Sequence, residues 1–588
     1  MCGIIGYISK DDNNIQSKLV QNLKKLEYRG YDSSGFCIIN NNNFYVKKSL
    51  GQIDNLQKQI DDTKSNIGIA HTRWATHGSV NTNNTHPILS KKHTWAVVHN
   101  GIIENYVEIK KQLGEKNFCT QTDTEVVPNF LESQKSNNNI EKIFNLTKTL
   151  TGSYALCMIN KDQKDTMYLA RKNSPLFVAQ NSNSIMASSD PVCFDCNYTH
   201  YYSIPQNSIA IITLKGLEFF DFNKNKISVK PKQIGIFEKS STLLGYKYFA
   251  EKEINQIPQV LKNITKIYKN QNYFSLIDKN YIKNIQNIHL IGCGTAYHAC
   301  LMGAKYLQKY CKISAQAHIA SEFNYNPPPL NKNSLCIFLS QSGETADTIF
   351  CLDICKKYHA KSIAIVNVPY STLAQNADIN LPLCAGMEIA VMSTKAYNAM
   401  LQVLYLLSKH IHHTLSGTQM HYPTFHCHLD HNISHLADLV LSHKKIFFIG
   451  KDQDYITALE AGLKLKEITY INCISIPSGE LKHGTLSLVD NTSLVFVICT
   501  QKKSLSKNLA SASEIKSRGG KIVFVTNLTI DEQNANNIDV IYKLKKCPVF
   551  LVSNLAIIPF QILAYQTCLK LGHNPDKPRN LAKSVTVE

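Results

Sequence analysis

Cys2 is the first residue of the chain whose type and position could do chemistry. It follows the initiator methionine directly and precedes Gly3. We expect that methionine to be removed, because the residue after it is small, and removal leaves a free α-amine beside the Cys2 thiol. That amine has an ordinary pKa of about 7.7–8.0, so about 10–17% of it is neutral at pH 7, and this form can act as general base for the thiol. A Met-Cys start occurs in proteins of any kind, so the neighbouring motifs must decide whether Cys2 is a nucleophile.

Three further motifs supply what a cysteine nucleophile needs to act on an amino-acid amide. Arg73, in HTRWATHG (71–78), can bind a carboxylate through two parallel hydrogen bonds. Asn100 and Gly101, in VVHNGIIEN (97–105), predict a turn at the end of a strand, where a side-chain amide and a backbone N–H can stabilise an oxyanion. Asp123, in TDTEV (122–126), could hold an α-ammonium. Each has an ordinary alternative (a surface arginine, a hairpin turn, a helix cap), but together they match an amino acid such as glutamine under attack.

A second group of motifs indicates a site for a phosphorylated sugar. LSQSGETADT (339–348) ends an apolar strand and opens a helix. Its hydroxyls and backbone N–H groups can therefore bind an anion without a lysine. The loop lacks the Gly-Lys-Ser of a P-loop, so a phosphate monoester on a sugar is favoured over a nucleotide. GCGTAY (292–297) forms a similar loop after the preceding strand, which is weak evidence when taken alone.

Possible acid–base groups follow in the last third of the chain. Lys464 and Glu467 lie one turn apart on one face of a predicted helix, a spacing that also suits a surface ion pair. His483 lies in the loop GELKHG (479–484), and Lys583 lies near the C-terminus in PRNLAKSVTVE (578–588). A lysine in that position could form an imine with a ketone, although a flexible tail is the more usual role of such a segment.

The elements that must position these residues change in character along the chain. Residues 2–235 contain short strands separated by turns, such as CGIIGYI and TWAVVHNG, with helical patterns at 15–26, 106–113 and 124–132. They predict a β-rich domain with helices on its faces. Residues 236–285 predict a linker and a connecting helix, in which Pro258 would mark a helix start or a kink.

The second half predicts two tandem α/β domains, at 286–425 and 440–575. Continuous apolar strands alternate there with longer helices, which is typical of doubly wound parallel sheets buried on both faces. NIHLIGCGTAYHACLMGAKYLQKY and KIFFIGKDQDYITALEAGLKLKEI share the order strand, loop, long helix, so we expect an internal duplication. Residues 576–588 follow as a C-terminal loop.

Composition excludes several other classes of function. The 588 residues carry a formal net charge of +19, but the basic residues are scattered and do not alternate with aromatics, so no nucleic-acid partner is expected. The apolar stretch 548–565 is interrupted by Asn554, Pro559 and Gln561, which favours a buried element over a membrane span. The 18 cysteines show no disulfide rhythm, no signal peptide is evident, and no zinc spacing appears. We therefore expect a cytoplasmic protein without membrane or metal.

The motifs of the first half resemble those of the N-terminal-nucleophile glutamine amidotransferases, whose fold is a four-layer α-β-β-α sandwich. MCGIIGYI, LEYRGYDSSG, HTRWATHG, HNGIIEN and TDTEV carry this resemblance. It implies that residues 2–235 form the amidotransferase domain, that Cys2 is the nucleophile, and that Trp74 gates a channel between two active sites. It assigns the oxyanion hole to Asn100 and Gly101, and glutamine binding to Arg73, Thr76, His77, Gly101 and Asp123.

The motifs of the second half are similar to those of the sugar-isomerase half of the glutamine–fructose-6-phosphate aminotransferase (isomerising) family. LSQSGETADT, LKLKE, GELKHG and PRNLAKSVTVE carry this resemblance, and the two halves together cover nearly the full length. It implies that Glu467 moves a proton between carbons 1 and 2 of the sugar, assisted by Lys464. His483, from a partner subunit, opens the sugar ring, and Lys583 contacts or forms an imine with the ketone. The residues implied to line the sugar-phosphate site are Thr295, Ser340, Gln341, Ser342, Thr345, Val391 and Ser393.

The resemblance implies a homodimer that takes glutamine and fructose 6-phosphate and requires no cofactor. One departure is Ala296, which stands where the family usually has a serine next to Thr295, so one hydroxyl near the phosphate is missing. Two alternatives stay open. An amidotransferase with another acceptor would need an acidic diphosphate-binding loop or an SGGxDS loop, and neither is present. A sugar-phosphate-binding regulator with a vestigial glutaminase would not need Cys2.

Overall fold

The computed structural model describes residues 2–11, 14–75, 77–234, 242–423, 429–548 and 551–585. The chain divides into two compact units. The first unit comprises Met1–Ser241 together with Ala582–Glu588, and the second comprises Thr242–Leu581.

The first unit contains two antiparallel sheets. One has eight strands in the order β15-β11-β9-β10-β1-β4-β2-β3, and the other has seven in the order β14-β13-β12-β8-β7-β6-β5. The strands are β1 (Gly3–Ser9), β2 (Ser33–Asn40), β3 (Asn43–Leu50), β4 (Ile67–Arg73), β5 (Ile88–Leu89), β6 (Trp95–Ile103), β7 (Gly152–Asn160), β8 (Thr166–Lys172), β9 (Phe177–Gln180), β10 (Ser184–Ser188), β11 (His200–Ser203), β12 (Ser208–Thr213), β13 (Gly216–Asp221), β14 (Lys226–Ile227) and β15 (Lys232–Gln233).

Helices cover the outer face of each sheet, which gives four layers. Alternating strand residues such as Ile69 and Val98 form an apolar core between the sheets, while Val97 and its neighbours on the opposite face pack against helices. The helices are α1 (Gln16–Lys24) and α2 (Ile53–Gln57), which contact the eight-stranded sheet, and α3 (Tyr106–Leu113), α4 (Val126–Ser133) and α5 (Asn139–Thr149). The predicted α-β-β-α sandwich is confirmed.

The second unit contains two parallel sheets of five strands each. Their orders are β17-β16-β18-β19-β20 and β22-β21-β23-β24-β25, so the same doubly wound order occurs twice and the predicted tandem α/β architecture is confirmed. The strands are β16 (Asn287–Gly292), β17 (Ser314–Ile319), β18 (Ser334–Ser340), β19 (Lys361–Val366), β20 (Ile379–Pro382), β21 (Lys445–Gly450), β22 (Cys473–Pro477), β23 (Ser493–Ile498), β24 (Lys521–Thr526) and β25 (Val540–Lys543).

Helices lie on both faces of each of these sheets. Four of the long ones, α8, α12, α14 and α17, pack on one another and belong to a core that both sheets share. The helices are α6 (Phe249–Gln271), α7 (Lys279–Asn284), α8 (Thr295–Cys311), α9 (Ala320–Tyr325), α10 (Ala346–Lys357), α11 (Thr372–Asn376), α12 (Lys395–Ser416), α13 (Ser434–Ser442), α14 (Gln453–Thr469), α15 (Leu505–Lys516), α16 (Glu532–Ala535) and α17 (Val552–Lys570).

Helices α6 and α17 contain the features that the sequence singled out. Pro258 lies inside α6 and not at its start, and the helix continues because its stripe of buried residues, including Ile254, Leu261 and Ile264, is anchored on the core. Helix α17 is long and apolar enough to cross a membrane by length and composition, with a mean hydropathy of 1.3, but 83% of that stretch is buried inside the protein. Its apolar character is therefore accounted for by its place in the core.

Candidate active sites

The Cys2 thiol lies at the N-terminal end of β1, a central strand of the eight-stranded sheet, against the segment that follows β4. Because β1 and β4 pair antiparallel with Gly3 opposite Thr72, the residue before β1 is brought to the residues after β4. The backbone N–H of Trp74 donates to Cys2 Sγ at 3.3 Å, and Sγ lies 3.6 Å from the Trp74 carbonyl oxygen. Burial raises the pKa of Cys2, while the Trp74 hydrogen bond and the Arg73 charge act in the opposite direction. The thiol therefore needs a base to become a nucleophile.

Asn100 and Gly101 lie inside β6, which corrects the predicted turn. The strand continues to Ile103 and pairs with β7 on both sides of the two residues. Gly101 instead interrupts the strand by its conformation, with φ +129°, and a Cβ there would lie 2.0 Å from the Ser153 carbonyl oxygen. Position 101 therefore requires a glycine, although β6 pairs regularly with β7 on both sides of it. The sequence pattern gave no sign that the strand continues through this residue.

The Asn100 side chain reaches the nucleophile. Its Nδ2 donates to the Cys2 backbone carbonyl at 3.0 Å, and its Oδ1 lies 3.1 Å from Nε2 of the buried residue His71. The amide N–H group of Asn100 is thus directed towards the end of the chain that carries the thiol, where an oxyanion would form. Sequence reasoning did not single out His71, although its alternation with Arg73 on β4 places both side chains on the same face of the sheet.

The predicted glutamine-binding residues surround this end of the sheet. The guanidinium of Arg73 donates to the carbonyl oxygens of His77 and Ser79. Asp123 is buried and accepts the Ile103 N–H on Oδ2 at 2.8 Å, which fixes its carboxylate. Thr76 lies outside the described residues. The structure therefore brings Arg73 and Asp123 to the same unit as Cys2 and leaves their roles in binding as predictions.

Asp32 is a further residue of this site that sequence reasoning missed. Its carboxylate accepts the Ala75 N–H at 2.8 Å, and its backbone N–H donates to the Arg73 carbonyl. It therefore holds the segment around Trp74, whose backbone in turn contacts the thiol. Asp32 lies within the quoted motif LEYRGYDSSG, but the partner that gives it a role is some forty residues away in the chain.

The serine turn of the second unit connects β18 to α10, as the sequence predicted. Ser340 Oγ accepts the Gly343 N–H at 3.0 Å and lies 3.0 Å from Thr345 Oγ1, while Ser342 Oγ accepts the Glu344 N–H at 3.2 Å. Gly343 has φ +67°, and a Cβ there would lie 2.0 Å from Ser371 Oγ. The turn is therefore closed tightly on itself at the N-terminus of a twelve-residue helix.

A buried acid–base cluster lies where α14 packs against α8. Lys464 Nζ is 2.8 Å from Glu467 Oε2, 3.3 Å from Glu460 Oε1 and 2.9 Å from Thr295 Oγ1. Glu460 also contacts His298 Nδ1 at 2.6 Å, and the side chains of Glu460 and Lys464 are fully buried. The surface ion pair that the sequence left open for Lys464 and Glu467 is therefore wrong, because Lys464 has no exposed surface.

The ionisable side chains of the cluster shift one another's pKa values. Burial by itself would lower the pKa of Lys464, but the carboxylates of Glu460 and Glu467 raise it above its ordinary value. Burial would likewise raise the pKa of Glu460, but Lys464 and His298 lower it. Lys464 is thus held as an ammonium beside Glu467. Sequence reasoning missed Glu460, although its position one turn before Lys464 on α14 gave a usable signal.

The Val391–Ser393 segment is held by buried carboxylates. Ser393 Oγ donates to Glu388 Oε2 at 3.0 Å, and the Val391 N–H donates to the Asp576 carbonyl at 3.3 Å. Glu253, on α6, accepts the Ile389 N–H at 2.5 Å. One acceptor from the same loop, Glu388, and two from distant parts of the chain, Glu253 and Asp576, therefore fix the segment whose role at the sugar site is predicted.

Gln341, His483 and Lys583 complete the set of predicted residues. Gln341 lies within the serine turn, and its backbone carbonyl accepts the Asn367 N–H. His483 is exposed after the 3-10 helix Glu480–Lys482, and its side chain has no hydrogen-bond partner in the part of the chain that the structure describes. Lys583 is half-buried in the C-terminal segment that clusters with the first unit. No hydrogen bond or ion pair between His483 and Glu467 is present in the described residues, and the role of His483 stays a prediction.

The domain content of the chain matches two known families. Residues 71–195 match the model of the glutamine amidotransferase domain, and residues 281–409 and 439–570 each match that of the SIS domain. With the sandwich fold of the first unit and the doubled parallel sheets of the second, these matches define the class: an N-terminal glutamine amidotransferase domain followed by two SIS domains.

Full-length relatives carry the same combination. The chain is 39% identical to the glutamine–fructose-6-phosphate aminotransferase (isomerising) of Caldanaerobacter subterraneus and 36% identical to that of Clostridium acetobutylicum, with all of both chains covered in each case. A solved structure, the C-terminal domain of glucosamine-fructose-6-phosphate aminotransferase from Francisella tularensis, is 29% identical, with a TM-score of 0.52, and covers 57% of this chain and all of its own. The chain belongs to the glutamine–fructose-6-phosphate aminotransferase (isomerising) family.

Proposed function

We propose that this enzyme converts glutamine and fructose 6-phosphate to glutamate and glucosamine 6-phosphate, the first step of hexosamine biosynthesis. The observation that supports this most is the buried contact of Lys464 with Glu467 at 2.8 Å and with Thr295 at 2.9 Å. Cysteine glutaminase domains supply ammonia to many different acceptors, so the residues of the second unit determine which acceptor this enzyme uses. A carboxylate with an adjacent fixed ammonium suits proton transfer next to a carbonyl carbon.

The first half-reaction takes place at Cys2. The thiol gives its proton to the free α-amine, attacks the side-chain amide carbon of glutamine, and forms a tetrahedral oxyanion bound by Asn100 Nδ2 and the Gly101 N–H. Collapse breaks the C–N bond, releases ammonia and leaves a thioester, which water hydrolyses to glutamate. The amino-acid end of glutamine is bound by a set of four residues: Arg73, Thr76, His77 and Asp123.

The second half-reaction takes place on the sugar. Ammonia passes inside the protein, with Trp74 as the gate, and adds to carbon 2 of the open-chain ketone, where loss of water gives an imine. Glu467 removes a proton from carbon 1 and returns it to carbon 2, which yields the 2-amino aldehyde. Lys464 assists Glu467 from a distance of 2.8 Å, and Lys583 contacts the ketone or forms a transient imine with it. The phosphate and hydroxyls are bound by Thr295, Ser340, Gln341, Ser342, Thr345, Val391 and Ser393.

We infer that the active form is a homodimer in the cytoplasm, with no membrane or nucleic-acid partner and no cofactor. Ring opening needs an acid–base group, and the exposed side chain of His483 is accessible to a second copy of the chain. An internal ammonia route is physically reasonable, because ammonia released into water near neutral pH would be protonated.

The test of the reaction is to mix purified protein with both substrates and to quantify glutamate and glucosamine 6-phosphate. We expect the wild-type protein to form the two products in equal amounts and the Cys2→Ala variant to form neither. Cys119→Ala is the matched control, because Cys119 is an exposed cysteine of the same unit. Glutamate without amino sugar would refute the acceptor, and full replacement of glutamine by ammonium at equal efficiency would refute the internal route.

The dimer is tested by complementation between two inactive variants. His483→Ala and Glu467→Gln, each purified and then mixed under subunit exchange, should recover roughly a quarter of wild-type activity, because half of the dimers are mixed and each has one intact site. Sedimentation should give twice the chain mass. A monomer of full activity would refute the proposal, and recovery of no activity on mixing would refute the shared site.

A further inference from the structure

His71 joins the two sheets of the first unit at the nucleophile. It lies on β4, and its Nε2 is 2.9 Å from the His99 carbonyl oxygen and 3.1 Å from Asn100 Oδ1, both on β6. The His71 side chain has no exposed surface. A polar contact thus crosses from one sheet to the other beside an otherwise apolar core, and it ends on the oxyanion-hole residue.

The protonation of His71 is fixed by these partners. A backbone carbonyl such as that of His99 can only accept a hydrogen bond, so Nε2 must carry the hydrogen. Burial lowers the pKa of His71 to about 3, so the ring is neutral and Nε2–H is its single N–H donor. An Asn100 amide beside that donor must present its oxygen and not its NH2 group.

The orientation of Asn100 follows from this contact. With Oδ1 towards His71, Nδ2 points to Cys2 and donates to its carbonyl at 3.0 Å, which leaves the second N–H of Nδ2 for the oxyanion. The flipped amide would direct oxygen lone pairs at the same place and repel the developing charge. An asparagine amide has no intrinsic preference between the two orientations, so its neighbours select one, and the His71 N–H acts here together with the Cys2 carbonyl, which can only accept.

Two further histidines hold the His71 ring in place. The His86 ring lies 4.3 Å from it, and the Thr124 hydroxyl bridges His86 Nε2 and His99 Nδ1 at 2.9 Å each. Burial also lowers the pKa values of His86 and His99. The two histidine rings nearest to the His71 ring are therefore neutral as well.

We propose that His71 is a positioning residue of the glutaminase reaction, which acts through Asn100 by selecting the amide orientation that completes the oxyanion hole. This rests on the proposed glutaminase half-reaction. Because His71 does not touch Cys2 or substrate, it should affect only steps in which negative charge develops on oxygen.

The test compares two reactions of the same thiol in the full-length protein. An aldehyde analogue of glutamine adds to Cys2 and forms an oxyanion, whereas a haloacetamide alkylates Cys2 by displacement and forms none. His71→Phe, which keeps a ring but removes the donor, should weaken aldehyde binding and lower glutaminase kcat by about 10–100-fold, less than full loss of a donor costs. Haloacetamide alkylation should stay within about twofold and the KM for glutamine within about threefold, since neither depends on the oxyanion hole.

Two further variants separate positioning from general damage. His71→Gln has a side-chain N–H that can take the place of Nε2–H. Its glutaminase kcat should be at least about tenfold higher than that of His71→Phe if donation alone is what matters. In an Asn100→Ala background, His71→Phe should have no further effect on kcat, because both changes act through one group.

Each outcome decides between named alternatives. Equal losses in aldehyde binding and alkylation, or additive losses in the double variant, would overturn the proposal and make His71 a purely structural residue. Wild-type levels of both reactions in His71→Phe would also overturn it. If the wild-type protein itself does not hydrolyse glutamine, the proposed function fails first, and that result is visible before any variant is made.

Discussion

Replacing Glu460 by glutamine should destabilise the second unit while leaving its shape unchanged. Glu460 is fully buried, and its carboxylate contacts Lys464, His298 and Thr295. The substitution keeps the size of the side chain and removes one negative charge, so that the fully buried Lys464 ammonium is left with Glu467 as its remaining carboxylate partner within 4 Å in the described part of the chain. The expected loss is the cost of a buried charge that is only partly compensated.

The size of this loss can be bounded from both sides. Two unit charges 3.3 Å apart, the distance between Lys464 and Glu460, attract by about 5 kcal/mol at an effective dielectric constant of about 20. The variant can instead release the Lys464 proton, which costs about 5 kcal/mol at pH 7 for an amine of ordinary pKa. Glutamine still offers a polar oxygen, and breaking buried pairs commonly costs about 3–5 kcal/mol, so we expect a loss in that range.

The measurement is equilibrium unfolding of the full chain, with glutamine hydrolysis in the absence of sugar as a readout of the first unit. Glu532→Gln, at an exposed glutamate of the same unit, is the matched control and should change stability by less than about 0.5 kcal/mol. Glutamine hydrolysis should be unchanged in both variants. A Glu460→Gln protein as stable as the control would refute the reasoning.

The pH dependence gives an independent check on the same pair. The folded pKa of Lys464 lies above its unfolded value, so its stabilising contribution is fully present below about pH 10.5 and is lost as the pH rises through the folded value. The gap in stability between wild type and Glu460→Gln should therefore narrow above about pH 10.5. A gap that stays constant there would mean that the loss has another origin.

Three further predictions concern single residues. Gly101→Ala should lower glutamine-dependent activity at least about 100-fold and spare ammonia-dependent activity, because its Cβ would meet the Ser153 carbonyl at 2.0 Å. Gly343→Ala should raise the KM for fructose 6-phosphate at least about tenfold in steady-state assays and spare glutamine hydrolysis, because its Cβ would meet Ser371 Oγ at 2.0 Å. Acid should destabilise the first unit: the pKa of His71 falls to about 3 on folding, so the unfolded chain binds a proton first, and about 2 kcal/mol is lost at pH 5 relative to pH 7.

The two glycine variants serve as controls for each other, because one belongs to each unit. If both lowered both activities equally, the assignment of separate sites would be wrong. The acid effect is measured by unfolding between pH 7 and pH 4, with the exposed residue His200 replaced by glutamine as a control that should keep the same slope. A flat stability profile over this range would contradict the prediction, since at least one buried histidine must then be protonated at no cost.

Much of the fold was predictable because the signals are local. Strands of alternating pattern before residue 235 and continuous apolar strands between long helices after residue 286 show which strand faces are buried. Burial on both faces is typical of parallel sheets, and alternation is typical of antiparallel ones. The strand–loop–helix pattern that occurs twice in the sequence is also local, and it correctly predicted two α/β domains, whose sheets have the same strand order. Motifs that are continuous in sequence, such as the serine turn at 339–348, likewise kept their predicted form.

The prediction failed where a strand carries a local irregularity. Asn-Gly between two apolar runs favours a hairpin turn, but β6 continues through Asn100 and Gly101 because β7 supplies hydrogen-bond partners on both sides. The helix start predicted at Pro258 was wrong as well, since packing of α6 on the core outweighs the local cost of a proline, and the alternative of a kink there stays a prediction. In both cases tertiary contacts overrode a correct local preference.

The sequence by itself determined the chemistry-bearing residue types, their motifs and the two kinds of domain that hold them. Only the tertiary structure decided which of those residues work as units. His71 meets Asn100 across two sheets, Glu460 meets His298 across two helices, and Glu253 holds a segment more than a hundred residues away. The reason is that hydrogen bonds and ion pairs between elements depend on packing geometry, whereas sequence periodicity records only which face of an element is buried.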